Sequence, residues 1–550
     1  MGRTLLMMVV WMMAAGCCLA RPGATGAGSE MAPGGYGGRP GTPGSRLARG
    51  PAWAPLLEDL CRAEEPVAVE AALARVLAAG PSCADLRRAL GDLPFPHLAR
   101  GTFHAFTWRA RDDRERPWLL YVPAGYHPRR ATPLLVVLHG GVSGEEVGPA
   151  QLQKDAEADP FFRLAREQGW LMLYPLGQDG ATWWDDIGHD AVLGQIRRVK
   201  RMANVDDDRV WLAGFSDGAG GALALAMLHP GEFGAVVACN GHPALGNLDG
   251  DLPLRLPMLA NVPCYLVNTD ADEFFPVEKM RPLVETAARA GADLVWRELP
   301  GRHRFAGEPA ELARVAAFLE RHPRDPLAPR VICETERPVW GRCRWLAIDE
   351  IVPGPAAPWA EDFNPIVRDE SVNFHFIGDQ RYRGTGVRAQ RVFPDSLAAR
   401  LGMRTGDVLV RLDGRPIRNP DDLAAVKRGL RAGRELTLTV RRDGTDRELT
   451  GRLPDPTLAW VFARQSPAGT VRARLVGNRF HLETSRVGRV SLRLSADLVD
   501  LAAPVEVTVN GRGVFRDRVD PDPAFLLRGY LADRDRKMLF DAGITLEDLW

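Results

Sequence analysis

Apolar residues change their spacing along the chain, and each change marks a different kind of element. Between residues 53 and 97 they recur at helical intervals, at Leu56, Leu57 and Leu60 and then at Val67, Val69, Ala72, Leu73, Val76 and Leu77, which predicts a small helical hairpin. From 103 to 319 the texture is different. Short runs that are apolar throughout (118–122, 134–138, 171–174, 210–213, 235–239, 264–267 and 294–298) alternate with amphipathic stretches at 151–168, 191–202, 218–228, 276–290 and 308–322. Strands without a polar face, separated by helices, need cover on both sides. The pattern therefore predicts an α/β domain over 101–325, built on a doubly wound, mostly parallel sheet.

After Pro326 the chain becomes β-rich, with many Pro and Gly. Residues 471–515 alternate apolar and polar positions (Val490, Leu492, Leu494; Val505, Val507, Val509) and carry a turn signal at Asn510-Gly511, which predicts antiparallel β structure. A similar texture at 330–351 suggests one β domain in two pieces, 326–365 and 456–550. The insert between them, 366–455, contains Pro394-Asp395-Ser396-Leu397-Ala398-Ala399, Gly406-Asp407-Val408-Leu409, Asp413-Gly414 and Arg441-Arg442-Asp443-Gly444. Taken together these resemble a bacterial PDZ domain, which implies a strand edge able to bind an extended peptide or chain terminus.

A length of 550 residues suits two to four domains. Lys plus Arg and Asp plus Glu are equal at 70 each, so no global charge points to nucleic acid. Residues 1–20 carry one charge, Arg3, then an apolar run from Leu5 to Ala15 that ends in small residues. That is the pattern of a signal peptide, too short for a stable transmembrane helix, and it implies export to a periplasmic or extracellular location. Ala14-Ala15-Gly16-Cys17 also resembles a lipoprotein signal, with Cys17 as the anchor. Residues 21–52, rich in Gly, Pro and Ala, are expected to be a flexible linker. Export permits disulfides. Cys61 with Cys83 and Cys333 with Cys343 are near enough in sequence to be local staples, while Cys239 and Cys264 fall on two runs expected to be neighbouring strands. No Cys or His spacing suggests zinc or another metal.

The sharpest chemical signal is Gly214-Phe215-Ser216-Asp217-Gly218, directly after an apolar strand and directly before a small-residue helix. Such a turn lifts the Ser hydroxyl above the sheet, and Gly214 and Gly218 let strand and helix pass closely. A neutral hydroxyl needs a base, and the base needs an orienting acid, in the chain order Ser, acid, His. The strand at 264–267 leads into Asn268-Thr269-Asp270-Ala271-Asp272-Glu273-Phe274-Phe275-Pro276. Asp272 is the expected acid and Asp270 its reserve. The next strand leads into Pro300-Gly301-Arg302-His303, which makes His303 the expected base, ahead of His229 and His242. His139-Gly140-Gly141 leaves the strand at 134–138. Gly140 or Gly141 would donate one backbone N–H to an oxyanion and Asp217 the other. Trp183 and Trp184, with His242, are candidates for lining a pocket, and Trp183 and Trp184 suit core packing equally well. Asp206-Asp207-Asp208 has the look of a calcium cluster but is expected to be a solvated loop.

These segments together are similar to the polyhydroxybutyrate depolymerase, feruloyl esterase and acetylxylan esterase branch of the α/β-hydrolases, over residues 101–322. The resemblance implies a serine esterase that acts on a carboxylic ester through an acyl-enzyme, without a cofactor. Asp217 after the nucleophile departs from that pattern. Two other readings remain: a peptidase of the prolyl-oligopeptidase type, which shares the residue order, and an envelope scaffold with an inactive hydrolase core.

Overall fold

The computed structural model describes residues 51–142, 147–369, 374–379, 382–394 and 396–549. The expected signal peptide, Cys17 and nearly all of the expected linker lie outside them. The described chain divides into two compact units, one of residues 364–461 and one formed by the segments on either side.

In the larger unit three helices come first: α1 (Ala54–Arg62), α2 (Pro66–Ala78) and α3 (Cys83–Gly91). A third helix appears where the pattern suggests two, because Ser82 and Asp85 form a reciprocal capping box that restarts the chain after Pro81. An eight-stranded sheet follows, in the order β1 (Thr102–Arg109), β2 (Glu115–Val122), β4 (Leu171–Tyr174), β3 (Thr132–Leu138), β5 (Val205–Phe215), β6 (Ala235–Cys239), β7 (Cys264–Thr269), β8 (Leu294–Leu299). β1 and β2 run antiparallel to their neighbours and the rest are parallel. Helices α4 (Pro149–Ala158), α5 (Pro160–Gln168), α6 (Asp186–Met202), α7 (Asp217–Leu228), α8 (Ala244–Leu248), α9 (Val277–Arg289) and α10 (Pro309–Arg321) make the connections. The central strands are buried on both faces, as apolar runs between helices require. This is the α/β-hydrolase fold, with the C-terminal ends of β3, β5, β7 and β8 along one edge of the sheet.

β5 begins five residues before the apolar run, at Val205, and takes in Asp206, Asp207 and Asp208. They are not a solvated loop: Asp207 bonds Lys200 and Arg536, and Asp208 bonds Arg324. Three short strands follow the hydrolase domain: β9 (Arg330–Thr335), β10 (Arg342–Cys343) and β11 (Leu346–Ile351).

The smaller unit opens and closes on a ribbon of β12 (Ile366–Asp369) and β19 (Thr457–Trp460). Between them lie β13 (Phe376–Gly378), β14 (Val387–Val392), α11 (Leu397–Arg400), β15 (Val408–Leu412), β16 (Arg415–Pro416), α12 (Pro420–Arg428), β17 (Glu435–Arg442) and β18 (Thr445–Arg452). Its core is formed by residues such as Phe374, Leu397, Leu409, Leu436 and Leu438. Asp413-Gly414 and Asp443-Gly444 both turn with positive φ at the two positions, as tight hairpin turns require.

Back in the larger unit, β20 (Gly469–Val476), β21 (Arg479–Ser485), β22 (Val487–Leu494), β23 (Val505–Val509), β24 (Arg512–Asp517) and β25 (Ala542–Leu546) complete two sheets begun before the insert. One has the order β10-β11-β22-β25, the other β24-β23-β21-β20-β9. The second holds one parallel pair, β21 with β23, in an otherwise antiparallel arrangement. Helix α13 (Pro523–Asp533) returns to the beginning of the chain, where Leu526, Leu527 and Tyr530 share a core with Leu57, Leu73 and Leu86. All six described cysteines are free, which corrects the expectation of local staples. The Cys333 and Cys264 thiols instead donate to the carbonyls of Gly341 and Val262, at 3.0 and 3.2 Å.

Candidate active site

The strand-to-helix turn at Ser216 is fixed by packing that admits no side chain on either flank. A Cβ on Gly214 would stand 2.2 Å from the Gly218 carbonyl oxygen, and one on Gly218 would stand 1.8 Å from that of Leu138. Between them Ser216 adopts φ 56° and ψ −121°, a conformation that costs a non-glycine residue about 1–3 kcal/mol and persists where the surroundings impose it. The Ser216 N–H donates to Cys239 O at 2.9 Å, which ties the turn to β6.

That conformation places the Ser216 hydroxyl 2.9 Å from Nε2 of His303, which lies beyond the end of β8. His303 Nδ1 is 2.9 Å from Asp272 Oδ2, beyond the end of β7. The carboxylate is in turn held from several directions. Its Oδ1 accepts the N–H groups of Phe274 and Phe275 at 2.8 and 2.9 Å, and its Oδ2 accepts Asn240 Nδ2 at 2.7 Å. Burial alone would raise the Asp272 carboxyl, but the hydrogen bonds from His303, the Phe275 N–H and Asn240 outweigh it and keep it below the ordinary range. The imidazole is packed by Phe215, Phe274 and Phe275, with ring centroids 4.9, 4.8 and 5.7 Å away.

The structure thus brings together Ser216, His303 and Asp272 and leaves the alternatives outside. Asp270 accepts the Gly301 N–H at 2.9 Å and shapes the turn before His303. His229 meets His189 edge to face in the interior, where burial lowers its pKa to about 3. His242 is also driven down by burial, to about 4, and its Nδ1 accepts the Ala244 N–H at 3.1 Å. Trp183 is a packing residue: its ring fills the space that Gly177 and Gly221 leave open, and its Nε1 donates to His139 O at 2.8 Å. Trp184 is nearly buried beside it. Gly140 lies against the nucleophile, since a Cβ there would be 3.0 Å from Ser216 Cβ. Asn240 stands in no motif that the sequence marks as catalytic. Its only local sign is Asn240-Gly241 at the exit of a strand, where Asn240 takes φ 52°.

A hydroxyl, an imidazole and a carboxylate in this relay can remove the proton from the hydroxyl as it attacks an acyl carbon and return it to the leaving group. Fold and geometry together define a chain of the α/β-hydrolase fold that holds a Ser-His-Asp relay and carries an inserted PDZ domain.

Comparison with a known family agrees with the inserted domain. Residues 390–442 match the PDZ domain family. The magnetosome formation protease MamE of Paramagnetospirillum magneticum is 45% identical over 85 residues, 16% of this chain and 12% of that protein. The bifunctional acetylxylan esterase/xylanase XynS20E of Neocallimastix patriciarum is 27% identical over 140 residues, 25% of this chain and 20% of that protein. The chain therefore spans a fifth or less of the length of these relatives. Among solved structures, a thermostable esterase is similar over 40% of this chain and 63% of its own, with 22% identity and a TM-score of 0.33.

Proposed function

We propose that this protein is an exported serine esterase. Ser216 is the nucleophile, His303 the general base and acid, and Asp272 the residue that holds the imidazole in its productive tautomer. The observation that carries this reading is the continuous relay of 2.9 Å contacts from Ser216 Oγ through His303 to Asp272, built on the strained turn at Ser216. Attack on an ester carbonyl gives an acyl-enzyme and releases the alcohol, and water then attacks the acyl-enzyme by the same proton path. The stretch of 27% identity to the acetylxylan esterase/xylanase supports an ester substrate. The PDZ domain would hold a peptide or chain terminus by strand addition and take no part in the chemistry.

One observation leaves room for a second reading: the chain order Ser216, Asp272, His303 is also that of peptidases of the prolyl-oligopeptidase type. The two separate in a substrate panel. p-Nitrophenyl acyl esters of increasing chain length should be cleaved by the wild type and not by Ser216→Ala, and aminoacyl and dipeptidyl anilides should not be cleaved. Faster turnover of the anilides would make the protein a peptidase.

A further inference from the structure

The residue after Ser216 sends its side chain across to the loop that faces the nucleophile. Asp217 Oδ2 accepts the N–H of Gly141 at 3.1 Å and that of Val142 at 3.2 Å. The same loop is held from the other side by His139. Its Nε2 accepts the Gly177 N–H at 3.0 Å, which makes Nδ1 the protonated nitrogen, and Nδ1 donates to Gly140 O at 2.8 Å. The Gly140–Gly141 peptide is therefore pulled from both ends, its carbonyl toward the imidazole and its N–H toward the carboxylate.

This arrangement bears on which amides can serve an oxyanion. Gly141 already donates to Asp217. The Gly140 N–H and the backbone N–H of Asp217 donate to no other described group, and Gly140 is the loop residue packed against Ser216. We infer that the Asp217 carboxylate is a positioning residue: it clamps the turn after β3 so that the N–H groups of Gly140 and Asp217, rather than Gly141, face the oxygen of the reacting acyl group. The inference rests on the hydrolase reading above. A carboxylate beside a developing negative charge is unfavourable in itself, so what the clamp requires of this side chain is an acceptor oxygen rather than its charge. An asparagine supplies that oxygen.

The test compares wild type, Asp217→Ala and Asp217→Asn, with thermal melting to establish that each is folded. Asp217→Ala should lower kcat about 100-fold, the scale of losing one oxyanion donor, while KM stays within about threefold. Asp217→Asn should recover kcat to within about tenfold of wild type, since loss of the charge leaves the acceptor in place. An Asp217→Ala enzyme as active as wild type, or more so, would overturn the inference, because the carboxylate would then be blocking the Gly141 donor. A folded Asp217→Asn as impaired as Asp217→Ala would also overturn it. Amide hydrogen exchange tests the clamp independently of activity. Gly141 and Val142 should exchange about tenfold faster in Asp217→Ala and at near wild-type rates in Asp217→Asn. Unchanged exchange in Asp217→Ala rules out the clamp even if the protein proves to be no esterase, whereas absent esterase activity with the exchange pattern intact counts only against the function proposed above.

Discussion

Arg324 and Asp535 stand 211 positions apart in the chain and 2.7 Å apart in the fold, both with side chains at 0% exposure. Lys200 Nζ joins the same carboxylate at 3.2 Å and reaches Asp207 at 3.1 Å, and Arg536 bonds Asp207 as well. The segment after α13 is therefore fastened beneath the start of β5, the strand whose other end carries Ser216. Removing Asp535 leaves the buried Arg324 and Lys200 cations with only Asp208 and Asp207 as partners, an undercompensated buried charge.

Asp535→Ala should consequently destabilise the protein by about 3–5 kcal/mol, read as a lower urea midpoint in a chain that still folds at low temperature. Burial would raise the Asp535 carboxyl, but Arg324 and Lys200 outweigh it and hold it well below the ordinary value. The unfolded chain then takes up a proton at this site before the folded one does. The stabilisation is present above the unfolded pKa of about 4 and is lost as the pH falls below it, so wild type and variant should converge in acid. A change under about 1 kcal/mol at pH 7 would show that the pair is not the fastening described.

The turn at Ser216 makes a steric prediction. With a Cβ at Gly218 standing 1.8 Å from Leu138 O, Gly218→Ala forces strand, turn and helix apart. Activity should fall below detection and the melting temperature should drop, at a cost of about 1–3 kcal/mol or more. Gly141→Ala tests strain of another kind, because its added Cβ meets nothing within 4 Å but its φ of +71° disfavours any side chain. It should cost about 1 kcal/mol in melting experiments and leave the fold intact.

Asp272→Asn retains the shape of the acid but presents an N–H where His303 needs an acceptor. kcat should fall about 10⁴-fold with little change in melting temperature. Asn240→Ala removes a single donor to Asp272 and should cost far less, on the order of tenfold, at unchanged KM. Equal losses in the two would place Asn240 in the chemistry itself.

What could be named from sequence follows from how local each constraint is. Gly214, Ser216 and Gly218 are legible because a single turn imposes all three, and His303 and Asp272 follow from chain order on a parallel sheet. Asn240 is hidden because its role depends on β6 and β7 delivering two loops to one point. Asp207 and Asp208 read as part of a solvated run because their partners Arg536 and Arg324 lie more than 100 residues away. The amphipathic faces of α1 and α2 are plain in the sequence, but the helix that shares their core, α13, comes at the far end of the chain. Asp217 carries a signal of a different kind, as a departure from the pattern of similar esterases, and what its carboxylate holds depends on the loop after β3 folding back beside it.

The most direct measurement is mass spectrometry of the folded, full-length protein after treatment with a fluorophosphonate. An intact relay gives one adduct per chain, mapped to the peptide containing Ser216, absent in Ser216→Ala and strongly slowed in His303→Ala. A folded protein that takes no adduct, or takes it on another residue, contradicts the assignment of Ser216 as the nucleophile.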